Sequence, residues 1–194
     1  VGGCTIRDQM VGPWQTPVAD CAVMLISYWS NQGVALALGE RPPIAVFDVN
    51  ASVRMCVGEL ITNILAAPVH KISDIKLSAN WMGAVDDEFS NYDLYSAVST
   101  LNNICIDCDI SIPVGKDSLS MSATKLENNT SKKVRSPISL NLSGVSKLND
   151  TEGTWTPCLE RDIQDSCLIF LDLAEGKKRM RASTFQSVFS ISSG

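Results

Sequence analysis

Two acids stand almost alone in apolar surroundings. Between residues 9 and 39 the only charge is Asp20, inside an apolar run over 18–29 that is rich in strand formers and predicts a buried strand. Between residues 49 and 67 only Arg54 and Glu59 are charged, in a stretch that reads as a helix. A carboxylate in a buried element is costly without a partner, so each asks for a cation. Arg54 and Glu59 are five apart, about 140° around a helix, and do not pair. Glu59 and Asn63 are four apart and share a face. A carboxylate and an amide oxygen one turn apart suit a hard cation such as Mg²⁺, which takes one or two carboxylates, keeps waters and completes its shell with phosphates. Asp20 could supply the second carboxylate. Two readings stand: a shared metal, or pairing with lysines or arginines from elsewhere in the fold. General acid–base work ranks below both, because no His or further acid accompanies either residue in sequence.

Other reactive types read more plainly. Cys105 and Cys108 could be half a metal site or a redox pair. However, Leu94, Val98, Leu101, Cys105 and Cys108 recur at helical spacing, where free Cys acts as a small core residue. No second Cys pair follows at metal-site spacing, and the lone His70 has no sequence partner, so it reads as structural or exposed. Gly115-Lys116-Asp117-Ser118 offers a close backbone approach, a cation and a hydroxyl, but it lacks the first Gly of a phosphate-cradling loop. A turn into a strand explains it as well.

The elements that position these residues follow from periodicity. Strands are expected over 18–29, 33–38, 74–79, 117–123, 137–146 and 167–171, with helices over 50–66 and 92–107 and a short one at the end. Asn50 reads as the N-cap of the first helix. That helix, apolar almost all round, should be buried on every side. Residues 125–135 form a polar, basic loop or hairpin tip, read as surface, and 149–165 a polar connector. The order is mixed α/β, with a start of a second domain near the end.

Composition bounds the function. The 194 residues are 45% hydrophobic and 19% charged, below the usual share of about 25% charged, which excludes disorder. Such a length buries roughly 70% of the unfolded surface without a disulfide or metal staple. With 16 Lys+Arg against 21 Asp+Glu, a net −5, a nucleic-acid partner is not expected. No apolar run reaches a membrane span. Seven scattered cysteines fit reduced thiols in the cytoplasm. The opening Val1-Gly2-Gly3-Cys4-Thr5-Ile6-Arg7 is not a signal peptide. The chain does not begin with Met, so a segment of a longer protein is expected.

Several motifs in fixed order complete the reading: Asp8-Gln9-Met10-Val11-Gly12-Pro13-Trp14-Gln15-Thr16-Pro17-Val18-Ala19-Asp20, Gly39-Glu40-Arg41-Pro42-Pro43, Val57-Gly58-Glu59 with Thr62-Asn63, Lys76-Leu77-Ser78-Ala79-Asn80-Trp81-Met82, Pro113-Val114-Gly115-Lys116-Asp117-Ser118-Leu119-Ser120-Met121, and Ser136-Pro137-Ile138-Ser139-Leu140. Over nearly its whole length the chain resembles the large, single-chain phosphoribosylformylglycinamidine synthases of purine biosynthesis. The resemblance implies an aminoimidazole ribonucleotide (AIR) synthetase-like N-terminal half-domain over 1–165, with a mixed sheet and helices on one face. Residues 166–194 would open the C-terminal half-domain. It implies part of an ATP-dependent ligase that amidates formylglycinamide ribonucleotide with glutamine-derived ammonia. It further implies packing on the other synthetase half and a glutaminase domain. It assigns an auxiliary ATP/ADP and Mg²⁺ site here, with Ala19 on the nucleotide and Asp20, Glu59 and Asn63 on the metal. The remaining ligands of that site would lie past Gly194. A non-catalytic, pseudo-symmetric scaffold is the alternative, and a stand-alone nucleotide-binding regulator a third. The tail Gly176-Lys177-Lys178-Arg179-Met180-Arg181 is more basic than the family pattern.

Overall fold

In a computed structural model, the described residues are 2–127, 130–157, 167–177 and 179–189. The chain divides into two units, Val1–Pro157 and Cys158–Gly194. The expected boundary at 165/166 lies outside the described residues.

The first unit opens with β1 (Thr5–Arg7), then a small hairpin of β2 (Met10–Val11) and β3 (Thr16–Pro17). Gly12 at φ +70 and Gln15 at φ +49 close its tip. β4 (Cys21–Leu25) and β5 (Gly33–Glu40) follow, then the one-turn α1 (Pro42–Ala45) and α2 (Val49–Ile64). β6 (Lys76–Met82), α3 (Glu88–Asp107) and β7 (Ser111–Ser118) form a β-α-β unit. β8 (Ser122–Glu127) and β9 (Thr130–Arg135) make a second hairpin, and β10 (Ser139–Leu148) ends the series. The main sheet runs β1-β4-β5-β10-β6-β7. All its pairs are antiparallel except β6–β7, where α3 provides the crossover that a parallel pair requires. β10, last in sequence, lies near the middle, paired from Asn141↔Glu40 to Leu148↔Gly33 on one side and from Ser139↔Met82 to Val145↔Lys76 on the other.

One sheet face carries the core. Val23, Ala35, Ala37, Leu77, Leu140 and Leu142 meet Val53, Cys56, Val57, Leu60 and Ile64 of α2, with Ala97 and Leu101 of α3. The spacing of 53, 57, 60 and 64 is a single helical stripe. Two glycines set how closely α2 seats. A Cβ on Gly39 would lie 2.2 Å from the Cys56 carbonyl oxygen, and one on Gly144 would lie 2.8 Å from Leu60 Cδ2. The opposite face is open, with Met24, Leu36, Leu38 and Val145 exposed.

Several expectations change. The strand expected over 18–29 shrinks to Cys21–Leu25, because local bonds fold both its ends. Val18 and Ala19 donate back to the Gln9 carbonyl at 3.2 and 3.4 Å, and Ser27 and Ser30 hydroxyls accept from Trp29 and Gln32 amides. Asp20 therefore sits just outside β4 and is exposed, not buried. The cap of α2 is Asp48, which accepts from Ala51 N at 2.8 Å. Asn50 instead accepts from Ser96 and Thr100 hydroxyls at 2.9 and 2.8 Å, tying α2 to α3. Nor is α2 buried all round: Arg54, Met55, Gly58, Thr62 and Leu65 are exposed, since an uncharged face need not be a covered one. The second helix begins earlier, at Glu88, because Asp87 and Ser90 form a capping box.

The strand expected over 117–123 falls as β7 and β8 on either side of a break. Pro113 is tolerated because β7 is an edge strand. Of residues 125–135, 125–127 and 130–135 are paired antiparallel strands, and 130–135 are exposed throughout. That hairpin is anchored: Lys133 pairs with Asp86, and Arg135 pairs with Asp86 and, at 2.6 Å, with Asp87.

In the second unit, residues 167–171 form no strand. Leu168, Ile169, Phe170 and Leu171 are exposed, and an apolar run becomes a strand only where a ladder partner exists. The expected short final helix is α4 (Thr184–Phe189), with the Phe185 and Phe189 rings one turn apart, tilted at 40° with centroids at 4.7 Å.

Candidate functional site

The motif from Asp8 to Asp20 has a structural purpose. The β2–β3 hairpin reverses the chain, and its closing bonds to Gln9 deliver Ala19 and Asp20 to the head of β4. β4 starts only at Cys21, opposite Ala37, so β5 beyond Ala37 has no strand partner on that edge. Side chains of α2 take the place of the missing strand. Asn63 Nδ2 donates to the Leu38 carbonyl at 3.0 Å, and Glu59 Oε2 accepts from Glu40 N at 2.8 Å. Residues 38 and 40 point the same way in an antiparallel strand, so a helix pair at i and i+4 can serve both.

The result is a cleft of about 430 Å³ at the end of β4, lined by Ala19, Asp20, Leu38, Asn63 and Ser143 among others. A neighbouring recess of about 240 Å³ shares Ala19, Asp20 and Asn63 and adds Arg7, Thr62 and Trp155. Trp155 is held there by its backbone N, which donates to the Ala66 carbonyl at 2.8 Å. Three residues named from sequence, Ala19, Asp20 and Asn63, thus meet at one place. Glu59 lies one helical turn from Asn63 and is not among the lining residues. Its Oε1 stands 3.4 Å from Arg41. The pairing with an arginine from elsewhere in the fold is therefore realised for Glu59. Among the described residues Asp20 makes no ion pair, and no group of three or more His, Cys, Asp or Glu is placed to hold a metal.

The donor set can still take a divalent ion with bound phosphate. Asp20 offers a free, exposed carboxylate. The Asn63 amide is turned by its bond to Leu38, which leaves Oδ1 as the atom available to a cation. Glu59 is ordered by Glu40 and Arg41, yet each of its oxygens keeps a second lone pair. Nearby, Arg7 Nε is buried with no hydrogen-bond partner. Cys56, below Glu59 on α2, is pushed up to about 12, first by burial and further by the charges of Glu59 and Glu40. It donates to the Gly39 carbonyl at 3.0 Å and is a packing group, not a nucleophile.

Arg7, Arg41 and Trp155 escaped the sequence reading. Arg7 sits just before the charge-free stretch that singled out Asp20. Arg41 had a signal, as the cation beside the Pro42-Pro43 punctuation, but its reach to Glu59 depends on how α1 turns. The other candidates fall elsewhere. Cys105 is buried in the core face of α3, and His70 is exposed. Gly115 has a packing reason, since a Cβ there would lie 2.6 Å from the Ala79 carbonyl oxygen of β6. Lys116 Nζ donates to Ser118 Oγ at 3.1 Å on the outer strand, beside a trough of about 1080 Å³ between α3, β6 and β7.

Solved structures share the fold, among them these three. One described as PurLQS from Thermotoga maritima is 21% identical with a TM-score of 0.54, over 77% of this chain and 22% of that one. Phosphoribosylformylglycinamidine synthase II from the same organism is 20% identical with a TM-score of 0.55, over 72% and 21%. T. maritima PurL complexed with ADP is 21% identical with a TM-score of 0.51, over 66% and 20%. The chain spans about a fifth of the length of these proteins. A family model described as the FGAR-AT PurM_N-like domain matches residues 1–147, which take in the hairpin, the cleft and the six-stranded sheet except Leu148, the last residue of β10. By that match this chain belongs to the FGAR-AT PurM_N-like domain family.

Proposed function

We propose that this chain is part of a phosphoribosylformylglycinamidine synthase, an ATP-dependent, glutamine-using ligase of purine biosynthesis, and that it holds an auxiliary Mg²⁺-nucleotide. The observation that carries the reading is the meeting of Ala19, Asp20 and Asn63 at one cleft in a domain of this family. The ADP complex of T. maritima PurL supports a nucleotide as the ligand class. Asp20 and Asn63 would hold the metal, Glu59 would join them by sharing its oxygens with Arg41, and Ala19 would line the nucleotide. The metal would supply charge neutralisation for the phosphates. The chain's own residues bind and orient. The substrate formylglycinamide ribonucleotide, ammonia from glutamine, the partner synthetase half and the glutaminase domain belong to the same reading. So do a second half-domain starting near residue 166 and a cytoplasmic setting. Among the described residues no helix is long and apolar enough to cross a membrane.

The test is nucleotide content. The protein purified at its natural length should carry ADP that appears in the supernatant on denaturation, and Asp20→Ala should abolish it. Undiminished nucleotide in that variant would count against the assignment.

The engagement of Glu59 by Arg41 and Glu40 favours a second reading, a non-catalytic scaffold half in which the acids only order the β5 edge. There, Glu59→Ala would lower thermal stability while the surviving fraction kept its specific activity.

A further inference from the structure

We infer that Arg7 is an anion-binding residue of this cleft and takes the phosphates of the bound nucleotide. The inference rests on the Mg²⁺-nucleotide reading above and extends it to a residue that reading does not use. Arg7 ends β1 opposite Val23, just past an irregularity in the register, and its side chain shares a recess with Thr62 and Asn63 of α2. It lines the recess with Asp20, Thr62, Asn63 and Trp155. Its Nε is buried without a partner. A guanidinium N–H taken out of water and left unpaired is unfavourable, and a bound anion is one group that would complete it.

The protein groups nearby do not complete it. Asp20 shares the recess but forms no ion pair with Arg7 among the described residues. Glu59 is taken by Arg41. The Thr62 hydroxyl bonds back to Gly58 and Glu59 carbonyls of its own helix. The charge of Arg7 does reach the cleft wall, where it opposes the effect of burial on the Cys21 thiol. Charge counting then selects the ligand. Arg7 and Asp20 cancel, and a divalent ion on Asp20 leaves the recess at two positive charges, which favours a polyphosphate over an uncharged ligand. The planar guanidinium fork suits two phosphate oxygens at once, which a lysine ammonium does not reproduce.

The experiment compares Arg7→Ala, Arg7→Met, Arg7→Lys and Asp20→Ala in the protein at its natural length. Two readouts serve: nucleotide released on denaturation, and the rise in melting temperature on adding Mg²⁺ with ADP, against Mg²⁺ with adenosine. Arg7→Ala and Arg7→Met should drop the released nucleotide at least tenfold and abolish the rise with ADP. Arg7→Lys should fall between them and the parent. Adenosine should give the same small response in every variant. Arg7→Met keeps the apolar stem, so it decides the matter if Arg7→Ala does not fold. Full nucleotide in Arg7→Met with loss in Asp20→Ala would overturn this assignment and leave the metal reading standing. Full nucleotide in both would overturn both. Loss in Arg7→Met with full nucleotide in Asp20→Ala would uphold Arg7 and remove the metal from Asp20.

Discussion

At the scale of single residues, the cleft separates groups that order the scaffold from groups free to bind. Glu59 satisfies a backbone N–H and an arginine at once, so its two truncations should differ. Glu59→Gln keeps an oxygen for Glu40 N and loses only a part-exposed ion pair, which is worth under about 1 kcal/mol. Glu59→Ala also removes the bond to the Glu40 N–H, which water then takes up, and should cost about 0.5–1.5 kcal/mol. Urea unfolding of the two variants checks the order; equal losses would show that the Glu40 bond contributes nothing. Cys56 gives a second expectation. Its thiol is raised to about 12, so it carries almost no thiolate at neutral pH. Iodoacetamide should modify Cys56 only after denaturation, read by peptide mass spectrometry. Modification of the native protein at the rate of exposed Cys167 would show that α2 opens away from the sheet.

Elements meet through two kinds of contact here, steric and electrostatic. The steric one is α2 against β5 and β10, where Gly39 leaves no room for a Cβ beside the Cys56 carbonyl. Backbone cannot yield as a flexible side chain can, so Gly39→Ala should destabilise by about 2–4 kcal/mol, toward the high end of point mutants. At Gly144 the obstacle is the Leu60 side chain, and Gly144→Ala should cost less. Thermal melts of the pair test the ranking. The electrostatic contact is the β8–β9 hairpin on the start of α3. Lys133 holds the Asp86 carboxyl below its ordinary 3.8, and Arg135 with Ser90 holds Asp87 lower still. A carboxyl lowered on folding adds stability above its unfolded value near 3.9 and loses it as pH falls through the folded value. Anchoring is therefore complete at neutral pH. Hydrogen exchange of hairpin amides, corrected for intrinsic rate, should stay flat from about pH 7 to about pH 5 and rise only in stronger acid. A rise near neutrality would assign the anchoring to some other group.

Over the whole molecule, the first unit is a sheet covered on one side. Leu36, Leu38, Met24 and Val145 on the bare face form the kind of apolar surface that calls for a partner. In the proposed synthase that partner would be the other synthetase half. The isolated 194-residue chain should therefore self-associate, and light scattering coupled to size exclusion should report dimers or larger species. Leu36→Glu with Val145→Glu should shift it to monomer without lowering the melting temperature, because neither side chain reaches the α2 core. A chain already monomeric before substitution would show that this face tolerates water.

The sequence by itself determined the class of fold, the two long helices, the core stripe of α2 and the ordered motifs on which the family rests. These are local periodicities, and a stripe at 53, 57, 60 and 64 admits one interpretation. It also picked out Asp20 and Asn63, because scarce charge and helical spacing are visible without a fold, whereas Ala19 comes only from the family resemblance. Only the tertiary structure decided that Asp20 is exposed, since that depends on where β4 begins, a point set by the β2–β3 hairpin bonds to Gln9. It alone gave Glu59 to Arg41 and the β5 edge, and brought Arg7 into the same recess as Asp20. It likewise made strands of the polar residues 130–135, whose composition argues for a loop, by anchoring them on acids 47 and 48 residues away in sequence. Periodicity follows from neighbours along the chain, whereas the partner of a charge follows from which segments the fold lays side by side.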